Sequence, residues 1–211
     1  MSSKIAVRNV ILLLALVALF FAHRGTAVAA STPAGFVENL ERTVTIMREG
    51  HESELDRGSG VNTFDIIETG MMGYAMIKLI DGTLIELGPN SEAYIVDIAF
   101  MPDTARLHID ISRGVARLRT GSIGLKNPFG INITTPRSVV TASNCELIFG
   151  VEDEAETMDI VWMPKGPKVS VFNVGTGDLL EVKRSHVVVS TDIDNNMSVA
   201  DIEYEEYENE E

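Results

Sequence analysis

Arg113, Arg117, Arg119 and Lys126 form the densest basic feature of a 211-residue chain whose formal net charge is −14. Side chains alternate across a strand, so Arg117 and Arg119 share the face turned away from Leu118. Guanidinium forks placed this way can hold a carboxylate or phosphate of an anionic partner. They can equally pair with Asp110 and other carboxylates across a turn at Arg113-Gly114. A second candidate is Asp192-Ile193-Asp194-Asn195-Asn196, which matches the first half of a calcium-binding EF-hand loop. Asp192, Asp194, Asn196 and the twelfth-position Glu203 are the candidate metal ligands. Met197 stands where that loop needs glycine and no amphipathic helix flanks it, so the alternative is an acidic segment that attracts cations loosely. Trp162 alternates with Val161 and Met163 and is the aromatic candidate for stacking on a ligand, whereas Tyr94, Phe100 and Phe129 fall in step with inward aliphatic residues.

Catalysis finds less support. A hydrolase needs a nucleophile beside a base, and His51, His108 and His186 lie in neither a G-x-S-x-G nor an H-E-x-x-H pattern. His51-Glu52-Ser53-Glu54 reads as a solvated turn. Cys145 is the sole cysteine, so no intramolecular disulfide or cysteine-based zinc cluster is available, and a buried thiol is expected. No cofactor and no enzymatic activity are expected.

The elements that must position these residues are strands. Beyond residue 30, short runs of period-two alternation are broken every 8 to 12 residues by Gly, Pro, Asn or Asp. Inward faces are expected for Ala75, Ile77 and Leu79; for Ile85 and Leu87; for Tyr94, Val96, Ile98 and Phe100; for Leu107, Ile109 and Ile111; and for Phe129, Ile131 and Ile133. Asp81-Gly82 is the strongest turn signal, and a glycine at φ > 0 suits such corners. Residues 121–128 read as a loop, residues 139–151 as two short strands or one bent strand, and residues 36–42 as a turn or two of helix.

Lys4 and Arg8 precede an uncharged apolar run from Val10 to Ala22, and Ala27-Val28-Ala29-Ala30 offers the small residues that a signal peptidase reads. A run of about 13 residues spans about 20 Å as a helix, short of a hydrocarbon core about 30 Å thick. Residues 1–30 are therefore expected to be a signal peptide, with an uncleaved anchor as the alternative, and the protein to be periplasmic or secreted. Residues 31–191 then form one all-β domain. Residues 192–211, with nine acidic side chains and no basic one, are expected to be a disordered tail. So acidic a surface disfavours nucleic acid and anionic lipid.

The stretch Ala75-Met76-Ile77-Lys78-Leu79-Ile80-Asp81-Gly82-Thr83-Leu84-Ile85-Glu86-Leu87-Gly88-Pro89-Asn90-Ser91 resembles the core motif of FecR domains. The likeness begins near Ala34-Gly35-Phe36-Val37 and continues through residues 107–121 and Ile131-Asn132-Ile133-Thr134-Thr135-Pro136, so it spans about residues 34–175. The resemblance implies a β-solenoid or β-helix-like array of short strands in a bacterial envelope protein. Founding members relay a signal from an outer-membrane transporter to a cytoplasmic anti-sigma segment. Ser143-Asn144-Cys145-Glu146 departs from the family's usual Arg-Gly-Thr-like segment, and nine residues precede the apolar run where relay members have a cytoplasmic domain. The fold and compartment carry over; the iron-signalling role does not. The expected function is a non-enzymatic binding or sensing domain that contacts another envelope protein or ligand. The alternative is a structural or carbohydrate-binding module for peptidoglycan at the cell wall or surface.

Overall fold

The computed structural model describes residues 31–101, 104–152, 159–166, 168–183, 187–192 and 194–201. The expected signal peptide, and residues 202–211 of the expected tail, lie outside the described residues. The chain opens with β1 (Pro33–Glu41), β2 (Val44–Arg48), β3 (His51–Glu54), β4 (Gly60–Asn62), β5 (Ile66–Thr69) and β6 (Tyr74–Leu79). It continues with β7 (Leu84–Leu87), β8 (Glu92–Ala99), the long β9 (Arg106–Arg119), and a five-residue helix α1 (Ser122–Lys126). Then come β10 (Ile131–Thr134), β11 (Ser138–Ser143), β12 (Glu146–Val151), β13 (Asp159–Lys165) and β14 (Lys168–Asn173). The last strands are β15 (Leu179–Val182), β16 (Val187–Thr191) and β17 (Met197–Asp201). The all-β expectation holds. No helix among the described residues is long and apolar enough to cross a membrane.

The strands form one continuous sheet that does not close into a barrel, and it is organised as two ladders. The first runs β4–β1–β6–β7–β9–β12–β13–β16–β17, the second β3–β2–β5–β8–β9–β10–β11–β14–β15. Among the described strands only the β9–β10 pair is parallel. From β5 onward the chain alternates between the ladders, so the strand order along each ladder follows the sequence. Inward side chains of both ladders, Ile77, Ile85, Leu118 and Phe149 with Ile67, Ile95, Ile109 and Ile131, belong to one buried cluster. Each such side chain contributes roughly 1.5–3 kcal/mol when buried.

β9 belongs to both ladders. Residues 106–113 pair with β8, and residues 114–119 pair with β7 and β12. Its buried positions are odd before the crossing (Leu107, Ile109, Ile111) and even after it (Ala116, Leu118). The expected turn at Arg113-Gly114 is therefore a change of face within one continuous strand. Gly114 has φ +85, and a Cβ there would lie 2.3 Å from Ser91 Oγ and 2.5 Å from Ser91 Cα. Ser91 Oγ accepts the Val115 N–H and donates to the Val115 carbonyl, both at 2.9 Å, while its own N–H donates to Thr69 Oγ1 at 2.9 Å.

Three buried aspartates secure other corners. Asp81 accepts from Thr83 N–H and Thr83 Oγ1 at 2.9 Å and from Ile123 N–H at 3.3 Å, which fastens α1 to the Asp81-Gly82 turn. Thr83 Oγ1 in turn accepts the Gly121 N–H at 2.9 Å. Asp65 takes both arms of Arg48 at 2.8 and 2.7 Å and the Asn62 N–H at 2.6 Å. Asp159 accepts from Thr135 Oγ1 at 2.6 Å and from the Arg137 N–H at 2.8 Å. A buried charge persists only with such partners, because its desolvation is otherwise costly. The residues Asp81, Thr83 and Ser91, which carry the family resemblance, are thus corner-forming residues.

Several expectations need correction. Residues 36–42 fall in and just after β1 rather than in a helix, because β1 pairs with both β4 and β6 and its Val37 is buried. Residues 122–126 of the expected loop form α1. His51–Glu54, expected as a turn, is an edge strand pairing with β2. In β8 the inward residues are Ala93, Ile95 and Ile98, because a register shift between Ile95 and Asp97 inserts an extra residue and turns Tyr94 and Val96 outward. Of the segment expected as a tail, Met197–Asp201 form β17 against β16.

Gly114→Ala is expected to lose about 3 kcal/mol in urea unfolding, since it combines backbone strain with a contact that only backbone movement can relieve. Gly82→Ala, where φ is +86 but nothing stands within 4 Å, should lose only about 1 kcal/mol. Cys145 is buried, and burial pushes its thiol up to about 11. Native protein at pH 8 is expected to resist iodoacetamide until unfolded. The raised value favours the folded state below the thiol's ordinary 9.0, and this contribution disappears as pH rises through about 11. Urea titrations of the wild type and Cys145→Ala across that range should show the extra decline in the wild type only.

Candidate functional site

The crossing in β9 divides the basic stripe between the two ladders. Arg113 lies on the second, where its Nη2 donates to Glu68 Oε2 at 2.9 Å and sits 3.2 Å from Glu92 Oε2. Arg117 lies on the first. Its Nε and Nη2 hold Glu146 Oε1 at 2.8 and 2.6 Å, and its Nη1 is 3.8 Å from Glu86 Oε2. The hydrogen bond to Glu146, reinforced by the charges of Glu146 and Glu86, holds the Arg117 guanidinium above its ordinary value. Tyr74 donates to Glu86 Oε2 at 3.3 Å, and its hydroxyl is raised by burial and by the Glu86 charge. Arg119 is exposed, in register between Leu84 and Glu146. Arg113 and Arg117 are therefore neutralised by Glu68, Glu92, Glu86 and Glu146 in place of the expected Asp110. Pairs this exposed add about 0–1 kcal/mol each.

Trp162 is half-buried on the outward face of the first ladder, in register between Ile148 and Val188, and Ile148 is in register with Arg117. The fold thus brings Arg117 and Trp162 to one face, two strand spacings or roughly 10 Å apart. Arg113 stands apart from them. His108 Nε2 lies 2.8 Å from Thr134 Oγ1 and 3.0 Å from Asp110 Oδ1, so one nitrogen meets both groups. A catalytic relay would use opposite nitrogens of the ring. His186 lies outside the described residues.

The calcium candidates occupy the hairpin between β16 and β17. Asp192 Oδ1 accepts the Asn196 N–H at 2.8 Å, Asn196 Nδ2 lies 3.1 Å from Asp192 Oδ2, and Asn195 takes φ +61. These bonds lower the Asp192 carboxyl, the backbone bond from Asn196 most strongly. The two end residues of the candidate loop close a turn on each other. Asp194 is exposed at its tip, and Glu203 lies outside the described residues.

The surface that the sequence pattern missed is apolar. Phe129 is 70% exposed, Met101 69%, Leu125 67% and Phe100 38%. They come from two neighbouring segments: Asn127 Nδ2 donates to the Ala105 carbonyl at 3.1 Å, and the Leu107 N–H donates to the Gly130 carbonyl at 2.7 Å. Lys126 Nζ stands 3.7 Å from the centre of the Phe100 ring, a cation–π contact across the same rim. Phe100 and Phe129 continue the alternation of β8 and β10, which places them inward on paper. Both lie outside their strands, next to Met101-Pro102 and Asn127-Pro128. Proline beside the end of an alternating run is the signal that the face is no longer maintained.

Residues 65–163 match the family model described as FecR protein. Two crystal structures, each of a candidate anti-sigma factor from Parabacteroides distasonis, superpose with TM-scores of 0.52 and 0.51 at 14% identity. Each alignment covers 64% of this chain and 59% of the other, so the chain spans under two thirds of the length of the proteins it resembles in structure. At that identity the likeness is one of fold. No curated protein gives a significant match. The matched stretch runs from β5 into β13 and includes the Asp81, Ser91 and Gly114 corners, so it is over residues 65–163 that the chain is FecR-like.

Proposed function

We propose that this chain is a non-enzymatic sensing or binding domain, exported to the periplasm or cell surface, that contacts another envelope protein. The observation that carries the reading is the apolar rim of Phe100, Met101, Leu125 and Phe129. Large apolar side chains gathered at one place on an otherwise strongly acidic surface mark a protein-contact site. The family supports a regulatory role, and anti-sigma factors with this fold support contact with other proteins. The regular passage of the chain from one ladder to the other supports a solenoid-like winding, in which the loops at the corners are available for contact.

The basic stripe does not compete for this role, since Arg113 and Arg117 already hold carboxylates. Arg117 and Trp162 on one face keep the glycan-binding reading as the rival. The test is a pull-down from detergent-solubilised envelope with the purified chain, against a Leu125→Ser, Phe129→Ser double variant. The wild type is expected to enrich a specific protein at least about tenfold over the variant, because truncating central apolar anchors costs affinity on that scale. Unfolding of the variant should be unchanged, both side chains being exposed. Saturable binding to peptidoglycan sacculi, with no protein enriched, would overturn the proposal in favour of the rival.

A further inference from the structure

The hairpin between β16 and β17 closes on itself, but its residues carry a pattern of another kind. Asn196-Met197-Ser198 is an asparagine followed two positions on by a hydroxyl, the acceptor pattern for an N-linked glycan. Asp194 stands two residues before the asparagine and completes the longer, acidic form that bacterial oligosaccharyltransferases read. The short pattern occurs at one other place in the sequence, Asn132-Ile133-Thr134, where the residue two before is Gly130. A three-residue motif arises often by chance, so accessibility must decide between the two.

Asn132 is not available. It lies in β10 between His108 of β9 and Thr141 of β11, in a strand paired on both sides. Its Oδ1 accepts from Thr141 Oγ1 at 2.9 Å, and Thr134 Oγ1 lies 2.8 Å from His108 Nε2. A transferase must lift the acceptor from the surface to reach the amide and the hydroxyl together, and here that would break two strand pairings. Asn196 differs at each point. It is exposed at a turn, beside Asn195 at φ +61. Met197 packs against the core, which leaves Asn196 and Ser198 on either side of it facing out. Among the described residues β17 pairs with β16 alone, and Ser198, Val199, Ala200 and Asp201 are all exposed. Releasing this edge uncovers little apolar surface, so the segment can enter an enzyme groove at small cost. The bonds from Asn196 to Asp192 lie at the surface, where water replaces them.

We infer that Asn196 is the acceptor for an N-linked oligosaccharide. This rests on the reading of the chain as exported, because the lipid-linked donor faces the extracytoplasmic side. In the transfer, Asn196 Nδ2 attacks the anomeric carbon of a polyprenyl-diphosphate oligosaccharide. The nitrogen–carbon bond forms as the carbon–oxygen bond to the diphosphate breaks. Polyprenyl diphosphate leaves with the electron pair, and the amide proton passes to a carboxylate of the transferase. Nothing is oxidised or reduced. The row Val115, Gly150, Ile160, Ser190 and Ser198 sets the site at the end of the first ladder where β9 crosses. The Phe129 rim lies beside the start of β9, so the glycan leaves that contact surface free. A bulky hydrated chain at the head of β17 also shields an edge whose backbone groups are otherwise open to a foreign strand.

The test incubates the purified, unglycosylated full chain with a single-subunit bacterial oligosaccharyltransferase and a lipid-linked oligosaccharide of known mass. Intact-mass spectrometry should show the addition of one glycan, and peptide mapping should place it on Asn196. Asn196→Gln and Ser198→Ala should each abolish the addition, Asp194→Asn should slow it, and Asn132→Gln should leave it unchanged. Asn196→Gln should keep the wild-type unfolding midpoint, which separates loss of the acceptor from loss of the fold. Absence of transfer to the native chain, transfer only after denaturation, or a glycan that persists in Asn196→Gln would each overturn the inference. Transfer in this purified system does not require export. A chain modified there but left bare in a bacterium that carries the transferase would overturn the exported reading alone.

Discussion

The fold depends on one hydroxyl. Ser91 Oγ bonds both the N–H and the carbonyl of Val115 at the point where β9 leaves one ladder for the other. A strand changing sheets must present a different parity of side chains to the same core, and Val115, which keeps Gly150 in register on β12 and the Gly88 N–H on its carbonyl, turns its own N–H to Ser91 instead of to a strand. Ser91 supplies the acceptor, and Gly114 makes room for it. Without the crossing there would be no shared strand, and the inward rows of the two ladders would not meet in one cluster. Burial of Ile109 and of Leu118 is thus conditional on a polar contact between them in sequence.

The same logic explains the buried carboxylates. A chain alternating between two ladders turns many corners, and each exposes backbone N–H groups that no ladder satisfies. Asp65, Asp81 and Asp159 meet such groups with a carboxylate, and threonine hydroxyls assist at two of the three corners. The conspicuous acid-and-hydroxyl motif is therefore architectural. Chemistry that looks available in sequence is consumed by the turns, as with the Asp192–Asn196 hairpin and the pairs of Arg113 and Arg117.

Alternation made the central strands legible, since Ala75, Ile77, Leu79, Ile85, Leu87, Leu107, Ile109 and Ile111 are all buried as their spacing implies. It failed where parity breaks. The register shift in β8 is invisible to a period-two reading, because Val96 suits the core as well as Ile95 does and only strand pairing decides between them. β1 defeated local reading for a different reason. Its residues are ordinary strand formers only once β4 and β6 flank it, and tertiary pairing overrides the local pattern. Partners of the arginines were legible in kind, as carboxylates, but not in identity: Glu68, Glu92, Glu86 and Glu146 reach β9 from strands far away in sequence. Exposure of Phe129 was the least legible feature, since an aromatic residue at the end of an apolar run reads as core.

On the protein-contact function proposed above, these features would divide the work of recognition between two ranges. Close pairing leaves Arg113 and Arg117 little capacity for an anion, so the remaining acidic excess, −14 over the chain, acts mainly as a field. At physiological salt that field decays over about 8 Å, enough to favour approach of a basic partner but too little to hold it in one place. Holding requires apolar area desolvated on contact, and on that proposal the exposed rim around Phe129 would supply it. A partner matched to this surface would be steered by charge and retained by hydrophobic contact, and salt would slow its association far more than it would speed its release.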